Sequence, residues 1–292
     1  MTDGVTAEQR GLSSDSAWPA WPMTRWPVFA DPSHPRVFEG AESPAGEPTS
    51  ALDPAGIHLL RLWLPDWFDC SQAALYVLSE DERYRAARFV SAAIRLRFVA
   101  CRFALRCCLA QLLACPAGEI RFGYGAQGKP YVLVPSPTRL SFNVSHSHDL
   151  AVIALGWGCE LGVDVERIEG RETWRVIAGR LLAPSEQLQL DHLPTELQSL
   201  AFYRIWTCKE AYLKGTGQGM TIPLRRFAVC ADPRQPPRLL EVLDQPQETG
   251  RWHLHAVQPW AGFVAAAIWE GFEAPVHCWT WHPPTQPIDC DR

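Results

Sequence analysis

The chain has no apolar run approaching the ~18–20 residues that span a bilayer. Its richest stretch, 104–115, is broken by Arg106 and Gln111. The first ten residues, MTDGVTAEQR, carry acids and no apolar core, so no secretory signal is expected there. An excess of basic charge is also missing. The 27 Lys and Arg stand against 32 Asp and Glu, a net charge of −5. That argues against a strongly basic nucleic-acid-binding chain, although it leaves room for a local basic patch. The ten cysteines form no CxxC pair, which disfavours both a structural zinc site and a disulfide framework. Cys101, Cys107, Cys108 and Cys115 fall within one apolar helical pattern, where cysteine serves as a small buried hydrophobe. These absences lead to the expectation of a cytoplasmic protein with neither membrane nor nucleic acid as a partner.

What is present is ordinary for a globular protein. Of 292 residues, 47% are hydrophobic and 20% charged, which excludes global disorder. The length is about two typical domains. The compositional outlier is the segment 1–56, which holds Pro19, Pro22, Pro27, Pro32, Pro35, Pro44, Pro48 and Pro54 with Trp18, Trp21 and Trp26. Proline at this density prevents regular helices and central strands. An extended arm is expected, with its tryptophans laid on the body; a specific partner-binding arm is the second reading.

Regular structure is expected from residue 57. Residues 57–63 read as a strand. Ile94, Phe98, Cys101, Leu105, Cys108 and Leu112 then step by four and three, the stripe of a helix facing a core. Arg83, Arg85, Arg88, Arg95, Arg97, Arg102 and Arg106 surround it, more than solubility requires, and point to an anionic ligand. Short strands follow at 120–124, 131–134, 140–144 and 150–155, with Ser145, His146 and Ser147 read as a strand end. Residues 160–166 alternate cleanly, with Leu161, Val163 and Val165 on one face and Gly162, Asp164 and Glu166 on the other. A helix opens at Pro184 with Ser185 as candidate cap, and another runs over 195–214 and stops at Gly215. Strands at 227–230, 251–257 and 262–268 complete the body. The same order of strand, helix and strands occurs twice. The fold class is therefore α+β, divided into the arm 1–56, a first half 57–158 and a second half 159–292.

Three constellations could carry chemistry. Asp164 and Glu166 share one strand face about 7 Å apart beside a glycine, a natural site for a hard cation, an exposed acidic face, or a glycosidase pair. Trp206, Glu210 and Lys214 share one helix face, either as a simple i,i+4 pair or as the completion of an acidic metal site, with Lys209 and Lys214 neutralising phosphate oxygens. His146, between Ser145 and Ser147, is a satisfied loop residue, an anion ligand or a base. The glycines at 215, 217 and 219 follow a helix rather than lead into one, which rejects a phosphate loop. Cys208 lacks a paired histidine and lies nearer the buried side, so it is not read as a nucleophile.

The succession FNVSHS, GVDVE and WTCKEAYLK resembles the 4′-phosphopantetheinyl transferase superfamily, of the surfactin-synthetase-activator type. Gly128-Lys129-Pro130 and the arginine-rich helix match its upstream pattern, and the likeness covers roughly 57–268. The resemblance implies a pseudo-twofold monomer of two α+β halves with the active site between them. The implied activity is of the holo-acyl-carrier-protein synthase type. It moves the phosphopantetheine arm of coenzyme A to a serine of an apo acyl, polyketide or peptidyl carrier protein, and releases 3′,5′-ADP. By the same resemblance Asp164, Glu166 and Glu210 hold Mg2+, and Glu210 is the base. Lys209 and Lys214 lie at the pyrophosphate, and Lys214 protonates the leaving phosphate. Ser145, His146 and Arg97 lie at the 3′-phosphate, Arg85 and Arg88 near the nucleotide, and Lys129 and Pro130 beside the adenine. Carrier docking is expected on the helix arginines and the stretch 171–193. The competing readings are a metal-dependent phosphodiester hydrolase using Asp164, Glu166, Glu210 and Lys214, and a non-catalytic coenzyme A or carrier-binding module.

Overall fold

The computed structural model describes residues 23–26, 52–136, 138–170 and 173–283. Of the arm, only 23–26 and 52–56 are among them; Trp18, Trp21 and most of its prolines lie outside. The element order is β1 (Met23–Arg25), β2 (Ile57–Trp63), α1 (Ser71–Val77), α2 (Glu80–Ala87), α3 (Ala92–Leu113), β3 (Arg121–Tyr124), β4 (Pro130–Val134), β5 (Leu140–Ser147) and β6 (Leu150–Trp157). It continues as β7 (Leu161–Arg167), α4 (Thr173–Leu181), α5 (Pro184–Asp191), α6 (Thr195–Thr216), β8 (Phe227–Val229), β9 (Leu239–Val242), β10 (Trp252–Val257), β11 (Phe263–Glu270) and β12 (Val276–Trp281).

The α+β repeat expected from the sequence is explicit in the topology. In the first pass β2, β6 and β5 are neighbours in that order, and in the second β7, β11 and β10 repeat it. Each pass inserts three helices and a separate two-stranded hairpin, β3–β4 or β8–β9, between its first strand and its last two. Each long helix covers one sheet and builds a core there. Phe103, Leu105 and Leu109 of α3 pack with Leu60 and Leu62, and Ile205, Cys208 and Tyr212 of α6 pack with Ala266 and Ile268. A third apolar layer joins the sheets, with Ile57, Leu59, Val152 and Ala154 against Leu161, Val163, Val165 and Ala267. All nine described cysteines are free thiols, and those of α3 and α6 are packing residues. Among the described residues no helix is long and apolar enough to cross a membrane.

The repeat extends to buried charge. Glu82 and Glu186 both occupy the third position of an eight-residue helix, and each carboxylate accepts the backbone N–H that precedes its helix, from Ser79 (3.0 Å) and Ala183 (2.7 Å). This carboxylate caps the N-terminal end of α5, where Ala183 is the N-cap residue, so Ser185 is not its cap. Arg106 and Lys209 both stand at the fifteenth position of a 22-residue helix. Arg106 donates to Glu82 (2.6 Å) and to the carbonyls of Ala117 and Ile120. Lys209 donates to Glu186 (2.6 Å) and to the carbonyls of Leu224 and Phe227. Each cation thus ties the long helix to the short one and to the chain entering the hairpin. Arg102 joins the first cluster through Glu82 (2.9 Å). The structure thereby corrects two expectations. Arg102 and Arg106 are buried in the core and not offered to a ligand. Lys209, at 1% exposure with all three N–H donors used, is a structural cation and does not reach a pyrophosphate.

Other differences have local causes. The helix expected to stop at Gly215 runs on to Thr216, and Gly217 in the left-handed region (φ +66°) ends it. Ile94 is 47% exposed, because α3 overhangs its core at the N-terminal end. Strand β12 lies parallel to β2, and β1 pairs with β12 at the sheet edge, where proline-flanked strands are tolerated. Arg61 of β2 holds this corner. Its guanidinium lies between the rings of Trp26 and Trp260, 5.4 and 4.8 Å from their centroids, and donates to Thr280 (2.8 Å) and the Pro259 carbonyl. Trp26 is therefore laid on the body as expected.

Two predictions follow from this buried chemistry. His58 accepts the Trp279 indole N–H at Nδ1 (3.2 Å) and so donates from Nε2 to the Asp53 carbonyl (2.8 Å), which requires the neutral ring. Burial holds its pKa down at about 4. The unfolded ring binds protons near pH 6.5. The stabilising contribution of neutral His58 is therefore complete above that pH and is lost as pH falls toward 4, by up to about 3 kcal/mol. Melting temperatures recorded from pH 7 to pH 4.5 should fall more shallowly for His58→Phe than for the wild type. Lys209→Met should cost about 3–5 kcal/mol by stranding Glu186. The affinity for coenzyme A, the ligand that the sequence resemblance implies, should stay within about threefold of wild type when measured calorimetrically below the lowered melting temperature, less than 1 kcal/mol.

Candidate active site

The site grows from the open edge of β7. Strand β7 pairs with β11 along one side, and the N–H groups of Val163 and Arg167 point the other way. Side chains of β5 meet that edge. Asn143 Oδ1 accepts the Val163 N–H (3.0 Å) and Ser147 Oγ accepts the Arg167 N–H (3.2 Å). This works because β5 continues through Ser147 rather than ending at Val144. Asn143, Ser145 and Ser147 then share one face with the two-residue period of the strand edge they cover, and His146 faces the opposite way. Asn143 and Ser147 cover this edge, although the sequence reading gave neither a role of its own; their signal was the polar alternation N-x-S-x-S.

The same side chains touch the acids. Ser145 donates to Asp164 Oδ1 (2.8 Å) and Ser147 donates to Glu166 Oε2 (2.8 Å). Helix α6 supplies the opposite wall. It crosses β7 at Gly162, where an added Cβ would lie 2.2 Å from the Ala211 carbonyl oxygen and 2.4 Å from the Gly215 nitrogen. The glycine makes room for a helix backbone. From that helix Lys214 Nζ donates to Asp164 Oδ1 (2.7 Å) and to Ser145 Oγ (2.9 Å). Trp206, a further member of this face, hydrogen-bonds Glu166.

The electrostatics are those of crowded carboxylates. Burial pushes the Asp164 carboxyl up, against the pull of Lys214 and Ser145. Glu166 and Glu210 are both raised, first by burial and then by the charge of Asp164. Asp164 Oδ2 is buried and, among the described residues, accepts no hydrogen bond. An all-oxygen donor set with one uncompensated buried oxygen fits a hard divalent cation such as Mg2+. Among the described residues no three such side chains already converge as a cage; Asp164 is instead engaged by Lys214.

On the other side of β5 the field reverses. The His146 pKa is lowered, first by desolvation and then by the charges of Lys214, Arg97 and Arg85, so the positive field of these three cations reaches one imidazole. Arg97 also pairs with Asp149 (2.7 Å), and the Arg85 guanidinium lies over Phe98, 5.3 Å from the ring centroid. Lys129 clamps the neck of the site, donating to Glu160 (2.6 Å) and to the Gly215 carbonyl (2.8 Å), and Pro130 opens β4 beside it. The structure therefore brings together Ser145, His146, Asp164, Glu166, Glu210, Lys214, Arg85 and Arg97. It leaves out Lys209, and Arg88 extends over Tyr84 instead. Cys208 is fully buried with its thiol pushed up to about 12, which removes it as a nucleophile.

Comparison with known proteins places the chain in a family. Residues 61–157 match the family model of the 4′-phosphopantetheinyl transferase N-terminal region, and residues 160–268 match that of the 4′-phosphopantetheinyl transferase superfamily. The 4′-phosphopantetheinyl transferase HetI of Nostoc sp. is 35% identical over 217 residues, covering 74% of this chain and 88% of the relative. A 4′-phosphopantetheinyl transferase of Bacillus subtilis is 35% identical over 114 residues, 39% of this chain and 48% of that protein. Among solved structures, the holo-acyl-carrier-protein synthase of Neisseria meningitidis covers 39% of this chain and 98% of its own, at 19% identity and a TM-score of 0.31. On the matches to its two halves and to the Nostoc protein, the chain belongs to the 4′-phosphopantetheinyl transferase superfamily and is an enzyme of that type.

Proposed function

We propose that this enzyme moves the 4′-phosphopantetheine arm of coenzyme A onto a serine of an apo acyl, polyketide or peptidyl carrier protein, with Mg2+, and releases 3′,5′-ADP. The observation that carries this reading is the meeting of two opposite fields across β5 and β7. The acids Asp164, Glu166 and Glu210 adjoin Lys214, and the charges of Lys214, Arg97 and Arg85 act together on His146. Coenzyme A presents a pyrophosphate, which suits the mixed site, and a separate 3′-phosphate, which suits the purely basic one.

Asp164, Glu166 and Glu210 would hold the cation, which when bound supplies charge stabilisation to the pyrophosphate. Glu210, with its carboxyl raised by burial and by Asp164, is suited to take the proton of the carrier serine. The serine oxygen then attacks the phosphorus that bears pantetheine, and the bond to the bridging oxygen breaks. Lys214 neutralises the departing phosphate and can donate it a proton. Ser145 is held between Asp164 and Lys214 and orients both. His146, Arg97 and Arg85 face the 3′-phosphate, and Lys129 and Pro130 line the adenine side, with Arg88 further out. The two halves act as a monomer with the site between them, in the cytoplasm. The hydrolase alternative would use the same acids on water.

Intact-mass analysis of an apo carrier incubated with enzyme, coenzyme A and Mg2+ tests the proposal. A phosphopantetheine adduct supports it. No adduct on several acyl and peptidyl carriers refutes it, and 3′,5′-ADP released without any carrier favours the hydrolase. Glu210→Gln should cut transfer at least about 100-fold while coenzyme A binding without metal persists. Arg97→Ala should weaken coenzyme A about tenfold and dephospho-coenzyme A much less; equal weakening would refute the 3′-phosphate contact.

A further inference from the structure

Glu166, like Asp164, is supported from outside its own strand. Its Oε2 accepts the Ser147 hydroxyl at 2.8 Å, and the same Ser147 oxygen accepts the Arg167 N–H at 3.2 Å. Ser147 is 9% exposed, and its hydroxyl donates one way and accepts the other, so it serves both partners. Asn143, four residues earlier on the same face of β5, covers the edge in the same manner through the Val163 N–H and is hydrogen-bonded there to backbone. Edge covering alone therefore does not account for the bond from Ser147 to Glu166.

We propose that Ser147 is a positioning residue for the transfer reaction: by tethering Glu166 Oε2 to the β5 face, it holds this carboxylate in the orientation that receives the divalent cation. The inference rests on the reading of Asp164, Glu166 and Glu210 as the cation site. Partners of this kind, hydrogen-bonded to a metal-binding carboxylate, typically change metal affinity by about 10–100-fold when removed. Without Ser147, Glu166 keeps only the Trp206 bond and its rotamers widen, while the Arg167 N–H loses its acceptor.

The test uses the full chain saturated with coenzyme A and titrates Mn2+ by the loss of the free-ion paramagnetic resonance signal, with a melting curve for each variant. Ser147→Ala should weaken Mn2+ at least about tenfold, and Ser147→Thr should restore it to within about threefold. In a Glu166→Gln background Ser147→Ala should weaken Mn2+ no further, because the tether has lost its charged partner. Asn143→Ala should lower the melting temperature and leave Mn2+ affinity unchanged. Wild-type Mn2+ affinity in Ser147→Ala, or an equal loss in the Glu166→Gln background, would overturn the proposal. If Ser147→Ala does not fold, Ser147→Cys, a poorer donor of similar size, takes its place with the same expectation. An unchanged affinity in Glu166→Gln would instead refute the underlying cation site.

Discussion

The contact between α6 and Gly162 is the constraint on which the site depends. The helix backbone approaches β7 so closely that the space of a single Cβ at Gly162 is already taken by the Ala211 carbonyl and the Gly215 amide. Any larger residue would lift the helix off the strand. At this separation Lys214 reaches Asp164, and Glu210 lies close enough to feel its charge. The helix is held there from both ends of the contact. Gly215 leaves room for Ile268 and Trp252, and Lys209 anchors the middle of the helix to Glu186 and to the start of β8.

The internal repeat explains how such a site is built on an ordinary scaffold. Both passes use a capping glutamate, a cation at the fifteenth position of a 22-residue helix, and a sheet of the same strand order. At the helix positions that correspond to Glu210 and Lys214, the first pass has Cys107 and Gln111, and its strand carries Leu60 and Leu62 where β7 carries Asp164 and Glu166. The first pass thus keeps the core and contributes in other ways. Its β5 side chains cover the open edge of β7, and the charge of its arginines reaches His146. The chain has only three lysines, Lys129, Lys209 and Lys214. All three bind partners on or beside α6 through a compact ammonium.

The elements with strong periodicity were legible in the sequence, as were the acids. The stripe of α3 and the alternation of β7 are local patterns imposed by burial on one face, and Asp164, Glu166, Glu210 and Lys214 stand where that spacing placed them. What escaped was settled by partners distant in the chain. Lys209 looks like Lys214 in sequence, and only Glu186 and the Leu224 and Phe227 carbonyls show that one faces the core and the other the cleft. Arg102 and Arg106 read as ligand-seeking because Glu82, 20 and 24 residues earlier, gives no sign of turning inward. Ser145-His146-Ser147 read only as a strand end because its full strand character comes from pairing with β6 and from the open edge of β7. Strand β12 joins β2 from the far end of the chain, a pairing with no local signature.

The central claim is that a divalent cation sits where β5, β7 and α6 meet. Replacing Mg2+ by Fe2+ in the coenzyme A complex, then generating hydroxyl radicals with ascorbate and peroxide, cuts backbone near the ion and can be mapped by mass spectrometry. The account predicts cuts clustered at residues 164–166 and around 210, with a weaker set near 145–147, all suppressed by excess Mg2+. Cuts confined to a different part of the chain, or unaffected by Mg2+, would contradict it.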